Sequence, residues 1–260
     1  MAIEFTAHNI RLDDGTLTKP DFPITMDRHP WFISARRILD TVYPGDKKNV
    51  RIADLGCLEG GYSVEFARMG FQVLGIEVRD VNIEACNYVK SKTSLPNLEF
   101  VKDDAWNIAK YGSFDVVFCC GLLYHLDQPK QFLKLLSSVT TKLLIVQTHF
   151  STVSDELKDD KFLLSGLSEN EGLVGRWYTE YETDQAFDLR DASKWSSWDN
   201  RRSFWIQREY LIQAIQEIGF DLVIEQFDSL GPNIAESIIR GPYFEDRRGS
   251  FIGIKTYNKI

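Results

Sequence analysis

The stretch Asp54-Leu-Gly-Cys-Leu-Glu-Gly-Gly61 decides how the rest of the sequence is interpreted, because it joins an apolar run to a helical pattern. Val50–Leu55 has the composition of a strand, and Tyr62–Met69 has the periodicity of a helix. Gly56 allows a tight turn, and Gly60 lets the backbone approach a ligand without an intervening Cβ. This order predicts a βα unit with a ligand site at its turn.

The same alternation continues along the chain and predicts a mainly parallel sheet. Further strands are expected at 71–76, 98–101, 114–119 and 143–147, with helices between them. Residues 150 to about 203 show no strand pattern and carry three tryptophans. The alternation then resumes with a helical stripe that ends at Gly219, followed by strands at 221–227 and 251–257. Residues 1–28 look irregular, and a helix is expected through Phe32, Ala35 and Leu39.

The composition limits the classes of protein that the chain can represent. It has 260 residues, a net charge of −8 and four cysteines. The acidic balance disfavours a nucleic-acid partner without excluding one. No run approaches the length of a membrane span, and no secretory signal is visible. The scattered cysteines, without a Cys-x-x-Cys pair, indicate buried thiols in a reducing cytoplasm and no zinc site.

Acidic residues follow the next two predicted strands. Glu77 ends the second strand, where a carboxylate can accept both hydroxyls of a ribose. Asp103 and Asp104 follow the third strand, where an acid can accept a hydrogen bond from an adenine amino group while an apolar neighbour covers the ring. Ligands of open α/β sheets bind at the carboxyl ends of the strands, so these acids and the glycine turn predict one nucleoside site.

These segments resemble the successive motifs of the class I S-adenosylmethionine-dependent methyltransferases. The similarity covers about residues 30–149 and returns at 203–257. It rests on Asp54-x-Gly56-x-x-x-Gly60, Glu77, Asp104-Ala105, Phe114-Asp-Val-Val117 and Cys120-Gly-Leu-Leu-Tyr-His-Leu126. The resemblance implies a three-layer Rossmann-like α/β sandwich. Its seven-stranded, mainly parallel sheet has an antiparallel last strand between strands five and six.

The resemblance also implies S-adenosyl-L-methionine as cofactor and S-adenosyl-L-homocysteine as product. Glu77 is then expected at the ribose, and the backbone around Cys120 beneath the sulfonium. The remaining contacts are expected at the methionine part, from Asp54, Gly56, Cys57 and Gly60, and at the adenine, from Asp104, Ala105 and Trp106. Two positions depart from the commonest pattern, because Cys57 stands where many members have glycine or alanine, and Glu77 where aspartate is commoner.

A nicotinamide dehydrogenase is the main rival interpretation of the same turn, because that class also combines glycines with an acid after the second strand. It would require Gly-x-Gly-x-x-Gly, and position 58 is a leucine. The Asp104 motif and Leu123-Tyr-His-Leu126 favour methyl transfer. A partner protein that binds the cofactor without turnover stays open.

Methyl transfer requires the protein to orient the acceptor and, where needed, to deprotonate it. His125 follows the fourth strand and His149 ends the fifth, so both are candidate general bases. For His125 a structural role near the pocket is the alternative. Tyr124 is a third candidate, better suited to a pocket wall than to catalysis. No acid cluster supports a metal.

The organisation expected is one methyltransferase domain over residues 1–260. Residues 1–45 form an N-terminal extension with a helix, 46–149 the cofactor-binding half, 150–205 a substrate lid inserted after strand five, and 206–260 a helix and the last two strands. Aromatic residues of the lid offer flat surfaces, and Arg176, Arg190, Asp184 and Asp191 could fix polar groups.

The acceptor class is the least determined feature. Cys120–Pro129, Ser203-Phe-Trp-Ile206 and Gly219-Phe-Asp221 resemble bacterial small-molecule methyltransferases of secondary metabolism and sugar biosynthesis, and also tRNA wobble-uridine transferases. The acidic composition favours oxygen or nitrogen methylation of a small molecule, with tRNA modification as the alternative. The sequence leaves the oligomeric state open, a homodimer included.

Overall fold

The computed structural model describes residues 3–153 and 161–257. Its seven-stranded sheet has the order β3-β2-β1-β4-β5-β10-β9. The strands are β1 (Arg51–Leu55), β2 (Gln72–Glu77), β3 (Leu98–Lys102), β4 (Phe114–Cys120), β5 (Thr140–His149), β9 (Leu222–Gln226) and β10 (Arg248–Ile254). A second sheet has the order β6-β7-β8, from Ser168–Asn170, Leu173–Thr179 and Arg202–Ile206. All seven strands predicted from the sequence are therefore present.

The helices alternate with the strands as the sequence pattern predicts. Those expected are α1 (Pro30–Val42), α2 (Gly61–Arg68), α3 (Asp80–Ser91), α4 (Pro129–Val139) and α6 (Arg208–Glu217). Three short helices were not expected: α5 (Asp184–Asp188), α7 (Ile234–Arg240) and α8 (Pro242–Asp246). The last two lie between β9 and β10. No helix in the described part of the chain is long and apolar enough to cross a membrane.

The chain divides into two compact units, Met1–Phe118 and Cys119–Ile260. In the first unit, β1 pairs parallel with β2, and β2 pairs parallel with β3. α2 contacts all three strands and α3 contacts β3. Phe66 of α2 is buried against Phe118 of β4 at a ring-centroid distance of 5.0 Å. Because helices cover this part of the sheet, all residues of β1 and β2 after the first are buried, whereas β3 at the edge is buried only at Leu98.

In the second unit, β10 runs antiparallel to both β5 and β9. This confirms the antiparallel last strand that the sequence predicts. α6 contacts β9 and β10, and its residues Leu211, Ala214 and Ile215 are buried, as the helical stripe requires. The sheet formed by β6, β7 and β8 is antiparallel in both of its pairings.

The expectation that residues 150–203 lack strands is wrong. The strand Ser168–Asn170 has only three residues. The strand Leu173–Thr179 buries a charged residue, Arg176, as well as the apolar Leu173. Short strands with buried polar residues do not show the clean alternation that identifies a half-buried strand. The segment is therefore an antiparallel sheet with a short helix, and part of it, residues 154–160, lies outside the described residues.

The irregular N-terminal segment is fixed by the glycine turn. The wholly buried carboxylate of Glu59 accepts hydrogen bonds from the backbone N–H groups of Thr6, Ala7 and His8 and from the Thr6 hydroxyl, at 2.6–3.1 Å. Burial opposes ionisation of Glu59, but these donors outweigh it and lower its pKa. His8 Nδ1 accepts the Gly61 N–H at 3.0 Å, which satisfies a free amide at the start of α2.

His8 makes the stability of the fold depend on pH. Burial lowers its pKa from 6.5 to about 4, against the opposing charge of Glu59. The unfolded chain therefore binds more protons than the folded chain between these values, so stability present above pH 6.5 is lost as the pH falls towards 4. A neutral ring with a bare Nδ1 is also what the hydrogen bond from Gly61 requires.

Between pH 7 and pH 5 we expect neutral His8 to contribute a loss of up to about 1.4 kcal/mol of unfolding free energy per pH unit, while the raised pKa of Asp54 acts in the opposite direction. His8→Asn removes only the His8 contribution, so the difference in unfolding free energy between wild type and variant should fall as the pH is lowered. Denaturant unfolding at several pH values measures both slopes. Parallel curves for the two proteins would show that His8 is not kept neutral in the folded state.

Candidate functional site

The glycine turn between β1 and α2 has the unusual backbone that its sequence predicts. Gly56, Leu58 and Gly60 all have positive φ angles, of 62°, 53° and 78°. A Cβ on Gly60 would lie 2.6 Å from the ring of Phe100. Glycine is therefore required at position 60 by the left-handed backbone and by the close contact with Phe100. The sequence suggests another reason, that the backbone comes close to a ligand at this position.

Glu77 joins this turn to the loop after β2. Its carboxylate accepts the Leu58 N–H at 2.9 Å through one oxygen, and the N–H groups of Val78 and Arg79 at 3.0 and 2.9 Å through the other. Only 4% of the residue is exposed. Burial raises its pKa, while these amide donors act in the opposite direction. The side chain of Asn82 also lies near enough to this carboxylate to lower its pKa. Glu77 ends β2, the position at which the sequence predicts a contact with a ribose.

Asp54, at the end of β1, is buried and faces α2. Its carboxylate accepts the hydroxyl of Ser63 at 2.5 Å. Burial raises the pKa of Asp54 to about 7, although the hydrogen bonds from Ser63 lower it. Asp54 therefore fixes the first turn of α2, and its carboxyl group is near the midpoint of its titration at neutral pH.

The two acids after β3 have different environments. Asp103 accepts the Asp104 N–H, the Asn107 amide and the Tyr111 hydroxyl at 2.6–2.8 Å, so it organises the loop. Asp104 accepts only the N–H of Trp106, at 2.9 Å, and its second oxygen has no donor among the described residues. Asp104 is therefore the acid of the pair that can receive a ligand hydrogen bond. Ala105 and Trp106, both half-buried, begin the short helix that it caps.

Cys57 lies in the turn, but its side chain points into the core. Its Sγ is 3.9 Å from the Sγ of Cys86, and both thiols are buried next to Phe100. Burial raises the pKa of the Cys57 thiol. Cys57 is one of the residues predicted to contact the cofactor. Since its side chain is buried in the core, it could do so only through its backbone atoms.

In the second unit, Cys120 ends β4 and Gly121 follows it. The Cys120 thiol is 3.5 Å from the side-chain oxygen of Gln147, and the Gly121 N–H donates to the Gln147 carbonyl at 2.9 Å. Tyr124 lies with its ring 4.5 Å from that of His149. Burial raises the pKa of Tyr124 despite the nearby Arg248, so its hydroxyl stays protonated.

His125 forms a pair with a carboxylate that the sequence did not indicate. Its Nδ1 is 2.8 Å from Glu180, whose side chain is 1% exposed and also accepts the Ser203 hydroxyl and the Ser197 N–H. A carboxylate can only accept, so the proton of this hydrogen bond is on Nδ1, and Nε2 is the ring nitrogen left to face a ligand. Carboxylates hold general-base histidines in this tautomer.

His149 has a different environment. Its Nδ1 lies 2.7 Å from the carbonyl oxygen of Asp246, which can only accept, so Nε2 is unprotonated in the neutral ring. Burial and then the charge of Arg248 lower the pKa of His149 to about 3. Its ring stacks on Trp205 at a centroid distance of 4.6 Å. At neutral pH, His149 is therefore a neutral hydrogen-bond acceptor and a much weaker base than an ordinary histidine.

One of the residues proposed from the insertion, Arg176, has a structural role. Arg176, expected to fix polar groups of a ligand, is buried and donates to the carbonyls of Thr152, Val153 and Ser165. That expectation was wrong, because a guanidinium whose nitrogens serve backbone carbonyls is not free for a substrate. Trp195 is 63% exposed, whereas Tyr178 stacks on Trp205 at 5.2 Å.

A narrow cleft lies at this cluster. It is partly open to solvent, encloses no space large enough for a water molecule, and is lined by Leu123, Tyr124, Thr148, His149, Phe204, Ile206 and Leu211. Pockets that enclose small organic ligands usually measure roughly 300–1,000 Å³. These residues can therefore form one wall of a binding site, but they do not enclose an acceptor by themselves.

Comparison with known proteins identifies related sequences. A protein of Geobacillus sp. strain WCH70, named as a methyltransferase, is 29% identical over 116 residues, 44% of this chain and 40% of that protein. The ubiquinone biosynthesis O-methyltransferase of Albidiferax ferrireducens is 31% identical over 81 residues, 30% of this chain and 32% of the relative. The chain thus spans less than half the length of these two relatives.

Comparison with solved structures supports the fold. The N-terminal domain of EvdMO1, crystallised with bound SAH (S-adenosylhomocysteine), superposes with a TM-score of 0.63 at 23% identity, covering 85% of this chain and 80% of that one. The Rossmann-like α/β fold expected from the sequence is therefore confirmed. The methyltransferase-domain family model matches residues 46–193, more than half of the chain. The chain belongs to the methyltransferase-domain family.

Proposed function

We propose that the chain is an S-adenosylmethionine-dependent methyltransferase that methylates oxygen or nitrogen of a small organic molecule. The observation that carries the proposal is the row of Asp54, Glu77 and Asp104 at the ends of three adjacent parallel strands. Ligands of such sheets bind at this edge. Membership of the methyltransferase family and the SAH bound by EvdMO1 agree with it.

The described residues of the first unit fit an adenosyl group. Glu77 offers a carboxylate at the end of β2 for a ribose hydroxyl, and Asp104 has an oxygen without a donor among the described residues for the adenine amino group. Trp106 is half-buried beside Asp104 and offers an apolar surface for the ring. The turn at Gly56 and Gly60, with Asp54, is then the neighbour of the methionine part. When bound, S-adenosylmethionine supplies the electrophilic methyl carbon.

His125 is the proposed general base. In the neutral imidazole, Nε2 can take the proton from an acceptor O–H or N–H as the methyl group is transferred, and Glu180 stabilises the imidazolium that forms. Glu180 is thus a positioning residue. His149 can accept a hydrogen bond that orients the acceptor, and Tyr124 can donate one from its protonated hydroxyl or serve as an apolar wall.

Cofactor binding tests the first part of the proposal. Glu77→Ala should weaken S-adenosylhomocysteine binding by about 1–3 kcal/mol, because charge-assisted hydrogen bonds are lost and the amide of Leu58 loses its acceptor. Titration calorimetry measures the affinity. Glu99→Ala, which changes an exposed glutamate of β3, is the matched control and should bind like the wild type. Equal affinity of Glu77→Ala and wild type would contradict the assigned ribose position.

Turnover tests the second part. His125→Ala should lower kcat by about 100-fold or more, since general bases contribute roughly 10²–10⁴-fold, with the affinity for S-adenosylhomocysteine unchanged. Glu180→Gln should lower kcat less, since the amide keeps one oxygen acceptor but no charge. Release of S-adenosylhomocysteine across a panel of phenols, amines and sugars measures turnover.

His149→Ala should reduce turnover by about tenfold, as expected for loss of one orienting hydrogen bond, without changing cofactor affinity. The same release assay, run beside calorimetry, separates the two effects. If His149→Ala loses more activity than His125→Ala, the assignment of the base to His125 is wrong. Cofactor binding by the wild type without release on any acceptor, bulk tRNA included, would instead favour a non-catalytic binding protein.

A further inference from the structure

Four polar side chains share one face of the sheet where β5 ends and β10 begins. His149 is paired with Arg248, and Gln147 with Ser250. Directly opposed residues on antiparallel strands point to the same face, and residues two apart on a strand do so as well. The stacking of Trp205 on His149 brings its indole to the same place. We call three of these side chains, Gln147, His149 and Arg248, together with the indole of Trp205, the donor face.

Three buried donors on this face have no acceptor among the described residues. They are Nε2 of Gln147, Nε1 of Trp205 and Nε of Arg248. Gln147 and Trp205 are only 1% and 2% exposed. Nearly all buried donors in folded proteins are paired, because an unpaired one costs free energy. A concentration of unpaired donors is what a binding site for a ligand rich in acceptor oxygens requires.

Arg248 also lacks a carboxylate partner among residues 3–153 and 161–257. Its guanidinium contacts the ring of Tyr124, 5.5 Å from the guanidinium carbon. A Cβ on Gly121 would lie 3.3 Å from the terminal nitrogen of Arg248, so the glycine leaves room for it. By contrast, the neighbouring cation Lys161 is paired with Asp246 at 2.5 Å.

The surroundings leave Arg248 available to an anion. Glu180, the buried carboxylate of this cluster, already accepts from His125, Ser197 and Ser203. The rest of the surroundings are aromatic, since Trp205 is stacked between His149 and Tyr178, and Phe162 packs against both Trp205 and His149. In apolar surroundings a guanidinium interacts with a carboxylate more strongly than it would in water.

We infer that the donor face binds the carboxylate of the acceptor, so that the substrate is a small organic acid held by Arg248 with Trp205 and Gln147. The inference rests on the proposed function, because it specifies the acceptor of the same reaction. The carboxylate of the cofactor is the other anion that could fill this position, and the experiment separates the two.

The test uses benzoate and benzamide, which have the same ring but differ in charge. Each is titrated into the full-length protein, with and without saturating S-adenosylhomocysteine, and followed by saturation-transfer NMR. We expect benzoate to bind with a Kd on the order of 1 mM, as a fragment of this size can, and benzamide to bind at least about tenfold more weakly. Arg248→Met should weaken benzoate binding by about 10- to 100-fold.

Two variants control for damage to the fold. Arg248→Lys keeps the charge and should retain part of the benzoate affinity. Arg202→Met removes an exposed arginine that lies over Trp177 in the same unit, and should change nothing. All three variants should bind S-adenosylhomocysteine like the wild type.

Benzoate binding that is no tighter than benzamide binding, or that survives in Arg248→Met, would overturn the inference. A loss of S-adenosylhomocysteine affinity in Arg248→Met with benzoate binding intact would assign Arg248 to the cofactor and would also overturn it. Failure of the wild type to bind S-adenosylhomocysteine would contradict the proposed function instead, and the titrations without that ligand still test the donor face.

Discussion

The carboxylate of Glu77 is the contact on which the first unit's site depends. It binds amides from two different loops, Leu58 in the turn after β1 and Val78 with Arg79 in the turn after β2. Leu58 is held in a left-handed backbone conformation that costs a leucine free energy, and its amide is one of the groups that Glu77 fixes. The same group therefore shapes the turn and places a carboxylate at the carboxyl end of β2.

The second unit uses a buried carboxylate in the same way. Glu180 collects donors from His125, Ser197 and Ser203, which lie in different segments of the chain. Fully satisfied polar networks of this kind fix side-chain orientation, whereas the donor face close by has donors in excess. Among the described residues, the polar network around Glu180 is therefore satisfied, whereas the donor face is not.

The sequence predicts the sheet and the turn because their signals are local. An apolar strand such as Phe114–Cys120 and the glycines at 56 and 60 can each be recognised within a few residues. The same is true of Glu77 and Asp104, which follow strands directly. His125 and His149 were found as candidates for that reason, but their different environments were not, since Glu180 is 55 residues from His125 and Asp246 is 97 residues from His149.

The residues that sequence reasoning missed depend on long-range pairing. Nothing in the local sequence distinguishes Arg248 from other basic residues. Its position opposite His149 follows from the pairing register of β5 and β10. Trp205 was quoted as part of a motif, but its stacking requires β8, and β7 and β8 were not recognised. A pairing between β10 and β5 spans about one hundred residues, and no local pattern encodes which residues meet across it.

The attachment of residues 6–8 to Glu59 has a practical consequence for how the molecule is divided. A fragment trimmed to the matched family segment, 46–193, would begin after this attachment and end before β8. It would remove the donors that Thr6, Ala7 and His8 supply to Glu59 and the His8 acceptor of the Gly61 amide, although the glycine turn itself would be intact in sequence. The segment with recognisable family similarity, residues 46–193, thus excludes residues 6–8, which hydrogen-bond to the glycine turn.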